Sequence, residues 1–268
     1  MSQIVGFALA LLIGVTLGML GAGGSILTVP VFVYVLGLAP KDAIAMSFPV
    51  VATTSLVAAA GHWRAGNVDG HALLTFAPLA MLGALGGARL ATLVPGAVQL
   101  ALLGAVMFVA GSLMLRDRGG PSAPAAPADT EPRRLLLAGI GLGVGMVTGL
   151  VGVGGGFMIV PALVLVAGVP MKRAVGTSLV VIALSTLTGL AGYRGQASIT
   201  WRIVALFTAL TVAGALLGTR LVRHVPARGL RAAFGVLVLS LAVFLLYENG
   251  ARLADPAGSR ASGGGTRP

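Results

Sequence analysis

The sequence predicts an all-α, polytopic transmembrane helix bundle built from two internal repeats, each with a glycine-broken or re-entrant helix near its start. Three observations lead there: an apolar composition, eight long apolar runs, and a self-match at a fixed offset. Of 268 residues, 57% are hydrophobic and 9% charged, with a mean hydropathy of +1.00. That balance leaves a soluble globule without enough polar groups to cover its surface. The apolar runs are 3–20, 43–61, 72–88, 97–115, 135–151, 174–193, 203–219 and 232–247, each near the length a tilted helix needs to cross ~30 Å of hydrocarbon. Shifting the chain by 131 positions lays Gly14 on Gly145, Gly18 on Gly149, Pro30 on Pro161, Lys41 on Lys172, Ser47 on Ser178, Gly83 on Gly214, Arg89 on Arg220 and Gly104 on Gly235.

The first run lacks a basic n-region, and its Gly14-x-x-x-Gly18 recurs deep in the chain, so it is expected to be a retained membrane segment and not a signal peptide. It leads into GAGGSILTVP (21–30), whose counterpart is GVGGGFMIVP (152–161). A continuous helix over 3–38 would be ~54 Å long, too long for one crossing, while 26–38 alone gives ~20 Å, too short for another. A broken or re-entrant hairpin with the glycines at its turn fits better. Its irregular backbone must be buried in the bundle, because lipid offers no hydrogen-bond partners, and glycine tolerates the left-handed φ of a turn. Runs 43–61, 72–88 and 97–115 then read as ordinary crossings, with Gly83-x-x-x-Gly87 a face for close helix approach. The segment 116–134, polar and rich in Pro, Ala and Gly, reads as a linker, and the second half repeats the series. The expected organisation is a first transmembrane repeat (1–115), the linker, a second repeat (135–247) and a disordered tail (248–268).

The threading decides the symmetry. A hairpin counted as two segments gives five per repeat and an inverted second copy; one broken crossing gives four and parallel copies. The inverted reading puts 11 Lys/Arg on one side and seven on the other, the parallel reading 10 against eight. The bias leans toward inversion, with the linker cytoplasmic and both termini outside.

The chemistry is set as much by what is missing as by what is present. There is no cysteine, so thiol catalysis and cysteine metal sites are excluded. His62, His71 and His224 make no ligand spacing, and no metal or cofactor is expected. The glycine clusters lack the Lys-Ser/Thr of a phosphate loop, since Gly24 leads into Ser25-Ile26 and Gly155 into Gly156-Phe157, and they lack the strand and third glycine of a dinucleotide site. The net charge of +11 sits in loops and at helix ends with no aromatic-interleaved patch, which fits orientation in a bilayer and not nucleic-acid binding. All seven carboxylates (Asp42, Asp69, Asp117, Asp129, Glu131, Glu248, Asp255) lie outside or at the ends of the runs, so a carboxylate relay inside the membrane is not expected.

What the segments offer instead is neutral donors. A helix starting just after each cluster presents free N–H groups and the positive end of its dipole, which attract anions. Two such starts facing each other at the midplane would make one central site. The candidate substrate-binding residues are Gly23, Gly24, Ser25, Ser47, Gly154, Gly155, Gly156, Thr177 and Ser178, with Ser47 and Ser178 singled out because they match across the repeat. Helix packing is the competing use of the glycines, and bonding to the helix's own carbonyls that of the hydroxyls. Lys41, Lys172, Arg89 and Arg220 are paired at helix ends, as snorkelling anchors or as guides for an anion. Trp63, Tyr193, Trp201 and Tyr247 read as an aromatic belt. An intramembrane protease is excluded: Ser25 is followed by Ile26 and not glycine, and no span holds an aspartate.

The two glycine clusters, with KDAIAMS (41–47), KRAVGTS (172–178), WRAGNVD (63–69) and YRGQASI (193–199), resemble the sulfite exporter TauE/SafE family over roughly residues 3 to 247. The resemblance implies a multi-pass carrier of the bacterial inner membrane, usually with about eight crossings, for sulfite, organosulfonates or related small anions. The expected partners are thus a small anionic substrate and the lipid bilayer. The first copy departs from the second in having Met46-Ser47 where the second has Thr177-Ser178, so the half-sites are expected to be unequal. The alternative is a non-transporting membrane assembly or scaffold factor.

Overall fold

The computed structural model describes residues 2–21, 23–116, 131–151, 156–193 and 199–254, and every regular element in it is a helix. The first half comprises α1 (Ser2–Leu20), α2 (Gly23–Pro30), α3 (Pro40–Arg64), α4 (Gly70–Leu90) and α5 (Gly96–Arg116). The second comprises α6 (Glu131–Val151), α7 (Gly156–Pro161), α8 (Met171–Gly192), α9 (Trp201–Leu221) and α10 (Ala227–Ala254). Among the described residues, six helices (α3, α4, α5, α8, α9 and α10) are long and apolar enough to cross a membrane, and α1, α2 and α6 hold shorter apolar stretches. The chain is an all-α polytopic bundle.

Each predicted run falls on one helix, and the helices begin before the runs because their caps are polar or restricted in φ. Pro40 opens α3 where its missing N–H costs nothing. Asp69 caps α4 by accepting a 3.0 Å hydrogen bond from the Ala72 N–H. Two boundaries differ from the sequence expectation. α6 already begins at Glu131, inside the expected linker, because Glu131-Pro132 suits a first turn. α10 runs seven residues past Tyr247, to Ala254, into the expected tail.

The chain reverses after α1 at Gly21, whose φ of 76° is left-handed. Of the cluster's glycines, expected together at the turn, Gly21 takes it, while Gly23 and Gly24 open α2. Gly21 takes the turn because a side chain there meets two obstacles: a Cβ would stand 2.8 Å from Ser178 Oγ and 3.0 Å from the Val175 carbonyl, in a backbone conformation that already favours glycine. Pro30 and Pro161 then remove a helical donor, and the turn after each widens. Leu36 N–H donates to Val31 O (3.0 Å) and Ala167 N–H to Ala162 O (3.1 Å), both π-helical bonds. The returning arm ends beside the start of α1, where a Cβ on Gly6 would lie 3.0 Å from Leu36 Cδ2.

Packing fixes the direction of every helix. α1 runs parallel to α9, with Gly14 against Thr211 and Gly18 against Ala215; α6 runs parallel to α4, with Gly145 against Ala80 and Gly149 against Ala84. α3 and α8 are antiparallel, with Phe48 at Gly189 and His62 at Gly176, and so are α5 and α10, with Leu246 at Gly104 and Leu239 at Gly111. The flanks of the 117–130 segment, Arg116 and Glu131, therefore lie at one end of the bundle, and Ser2 and Ala254 at the other. α3 and α8 are the most enclosed of the long helices, while the outer helices expose Leu82, Leu135 and Val236 to the surroundings.

Candidate functional site

The tip of the α1–α2 hairpin rests against the opposite half of the chain. Gly21 packs on Val175 and Ser178 of α8, and His62, at the end of α3, places Nε2 3.0 Å from the Gly18 carbonyl. Thr177 Oγ1 accepts the Asp69 N–H at 2.8 Å, and Asn67 N–H donates to His62 O at 2.9 Å. A Cβ on Gly176 would collide with the Asn67 carbonyl, which explains why the residue before Thr177 is glycine. Local sequence builds this cluster: the polar turn Arg64–Asp69 must find partners for its backbone groups, and α8 supplies a hydroxyl and a bare backbone.

The predicted residues divide between the two ends of the bundle. Gly23 and Gly24 open α2, and Ser25 is fully buried in its first turn. Thr177 and Ser178 are also fully buried and lie at the same end as that hairpin tip. Ser47 lies at the other end, because α3 and α8 are antiparallel; at 1.5 Å per residue it is about 18 Å along the bundle from Ser178. Gly156 opens α7 at that other end, and Gly154 and Gly155 lie outside the described residues. The starts of α2 and α7 consequently do not face each other at the midplane. α1 and α6 run in opposite senses, so their tips, and the helices that follow, start from opposite ends. Lys41 with Arg89 stands at one end and Lys172 with Arg220 at the other, the lysines half-buried and the arginines exposed.

Ser47 and Ser178 both donate to their own helix, to Ile44 O at 2.7 Å and Val175 O at 2.8 Å. Between the two ends lies a layer of buried hydroxyls on α3, α8 and α9. Thr54 Oγ1 and Thr211 Oγ1 are 2.8 Å apart, Ser185 and Thr186 sit at the corresponding depth on α8, and Ser55 Oγ is buried with no hydrogen-bond partner. Asp42 lies in the first turn of α3 and Asp69 caps α4, so both described carboxylates of the first half are at helix ends.

Sequence reading missed one buried pair. Tyr193, expected in the aromatic belt, is only 3% exposed and packs on Phe48 with ring centroids 5.5 Å apart. Its hydroxyl and the Oε1 of fully buried Gln99 have no hydrogen-bond partner, although Gln99 Nε2 donates to Ala91 O at 3.0 Å. Burial pushes the Tyr193 phenol above its ordinary value of 10.0, and the Asp42 charge adds to the rise. Two signals were available: Gln99 is a lone amide at the head of an apolar run, and Tyr193 lies 131 residues after His62, the buried residue at the end of α3. Trp63, Trp201 and Tyr247 are exposed near helix ends, as a belt requires.

The family model described as "Sulfite exporter TauE/SafE" matches residues 6–245. A Xylella fastidiosa (strain Temecula1) protein named "Probable membrane transporter protein" is 32% identical over 247 residues, covering 90% of this chain and 94% of its own. The Bacillus subtilis (strain 168) "Probable membrane transporter protein YdhB" is 24% identical over 240 residues, covering 88% and 97%. A Methanocaldococcus jannaschii relative of the same description is 26% identical over 196 residues, covering 71% and 70%. No solved structure matches.

Proposed function

The chain belongs to the sulfite exporter TauE/SafE family, as a multi-pass inner-membrane transporter of anions and not an enzyme, and from that premise we propose that its cargo is sulfite, an organosulfonate or a related sulfur-containing anion, carried outward. The proposed carrier is a pair of inverted repeats. The hairpin of the first half holds one end against α8, and the anion passes the buried hydroxyl layer of α3, α8 and α9. Gly23, Gly24, Ser25, Thr177 and Ser178 form its half-site at the linker end; Ser47 and Gly156, with Gly154 and Gly155, belong to the half-site at the other. Lys172 and Arg220 serve one mouth, Lys41 and Arg89 the other.

The observation that carries this reading is the polarity of the enclosed helices. Fully buried hydroxyls recur along α3 and α8 while Asp42 and Asp69 stay at helix ends. Hydroxyl and backbone donors bind an oxyanion without the repulsion a carboxylate would add, and weakly enough for release. Outward movement of one negative charge through an inside-negative potential releases ~2.3 kcal/mol per 100 mV, so facilitated efflux needs no proton relay.

Counterflow in proteoliposomes, with sulfite, sulfate, a sulfonate and a carboxylate offered under an imposed potential, tests the proposal. Sulfite or sulfonate flux that rises with an inside-negative potential is expected, and Gly23→Leu is expected to abolish it while the protein still inserts. Flux of none of the four would return the chain to the scaffold alternative.

A further inference from the structure

A cavity of about 410 Å³ opens on the side of the bundle between α5, α6 and the arm that follows α7. Its walls are wholly apolar and include Ala105, Val109 and Leu113 of α5, Val144 of α6, and Ala162 and Leu165 of the arm. Val109 and Leu113 are exposed, so the cavity faces outward to the membrane and not inward to the hydroxyl layer. Along α5 it extends from Ala105 to Leu113, about 12 Å at 1.5 Å per residue, most of the ~15 Å of hydrocarbon in one leaflet.

The corresponding place, between α10 and the arm that follows α2, is occupied. The counterparts of Leu165 and Leu113, 131 residues away, are Tyr34 and Phe244, and their rings meet edge to face with centroids 5.4 Å apart. Ala105 and Ala162 likewise answer to the larger Val236 and Val31. The cleft between α5 and the arm after α7 has the smaller side chain at each of these positions. The cleft also has a charged mouth. Arg116 ends α5, three residues beyond Leu113 and so on the same helix face, and it is exposed. Arg133 and Arg134 stand in the first turn of α6 at that end of the bundle.

We propose that this cleft is a binding site for one anionic phospholipid of the leaflet at the Arg116 end, its acyl chain filling the cavity where the corresponding cleft holds Tyr34 and Phe244, and its phosphate beside Arg116. The chain in the cleft replaces the contacts that the two rings make on the other side. Arg116 selects the headgroup, since a basic residue at the surface favours anionic lipid by about fivefold. An occupied cleft braces the arm of the second hairpin against α5.

Native mass spectrometry of protein equilibrated with equal amounts of phosphatidylglycerol and phosphatidylethanolamine tests the site. The wild type is expected to hold one lipid, with phosphatidylglycerol preferred. The double variant L113F/L165Y, which rebuilds the Tyr34–Phe244 ring pair in this cleft, is expected to lose that lipid by about tenfold. Arg116→Gln should keep a lipid and lose about fivefold of its preference. Unchanged occupancy in L113F/L165Y, or no headgroup preference in the wild type, overturns the proposal. Should L113F/L165Y fail to elute as a folded species, phosphatidylglycerol with a photoactivatable acyl chain decides on wild-type protein. Adducts at Val109 and Leu165 support the site; adducts only elsewhere, or a cross-link between two copies through this cleft, overturn it.

Discussion

Tyr193 is the residue where sequence and surroundings disagree most. A tyrosine at a helix end in a membrane protein ordinarily puts its hydroxyl at the interface, whereas this one is buried against Phe48 with the hydroxyl unpartnered. A buried unsatisfied group costs about 1–3 kcal/mol, so Tyr193→Phe is expected to stabilise the protein by about 1 kcal/mol, read as a higher unfolding temperature in detergent. The pH dependence follows from the raised phenol pKa. Below 10.0 the hydroxyl is protonated in both states and contributes nothing; as pH rises past that value the unfolded chain ionises first, so stability falls. Tyr193→Phe should lack that part of the alkaline loss, and identical alkaline slopes in the two proteins would contradict the buried geometry. Gly21 makes an opposite case, a residue with no freedom to change. Gly21→Ala combines left-handed strain of about 1–2 kcal/mol with the contact on Ser178 Oγ. Adding Ser178→Ala should recover part of the lost thermal stability but not all, because the φ and the Val175 carbonyl remain.

At the scale of helices, the spacing of glycines was readable and their partners were not. Gly14 and Gly18 on α1 pack against Gly214 and Gly218 on α9, and Gly145 and Gly149 on α6 against Gly83 and Gly87 on α4, so each motif of one half meets a motif of the other. Small-xxx-small spacing announces that some helix approaches closely, but which helix depends on the assembled bundle. The same limit explains the hairpin. The clash of its length with the bilayer was visible in residues 3–38, as was a turn in the glycine cluster, whereas which of its glycines takes the left-handed turn depends on Ser178 and Val175, far away in sequence. The site was legible in its residue types and not in its grouping: Ser47 matched Ser178 by offset, yet antiparallel α3 and α8 carry them to opposite ends. A substitution series tests the packing. Gly18→Leu and Gly149→Leu drive side chains into the backbones of Ala215 and Ala84, and overpacking of that kind costs about 1–3 kcal/mol or more. Gly143→Leu, with nothing within 4 Å of its Cβ, should be tolerated. Equal thermal stability of all three would remove the cross-half interface.

For the whole molecule, the directions of the helices carry a topological consequence. α1 and α9 rise together, α4 and α6 descend together, and α5 meets α10 head to tail, so the second half begins from the end at which the first half finishes. Any membrane around such a bundle has Arg116 and Glu131 on one side and Ser2 and Ala254 on the other. The distribution of basic residues gives the expected sides. The inverted reading counts 11 of the 18 Lys and Arg on the Arg116 side, and since positive charge near helix ends is retained in the cytoplasm, that side is expected to be cytoplasmic. Single cysteines at Ala123 and Ser259, introduced into a chain that has none of its own, report this directly. In intact cells a membrane-impermeant thiol reagent should modify the cysteine at 259 and leave that at 123 untouched until the membrane is opened. Modification of both, or of neither, would place the two segments on the same side and rule out the antiparallel arrangement of the halves. Modification of 123 alone would keep the arrangement and invert it in the membrane, which would also place the Arg116 lipid site in the outer leaflet.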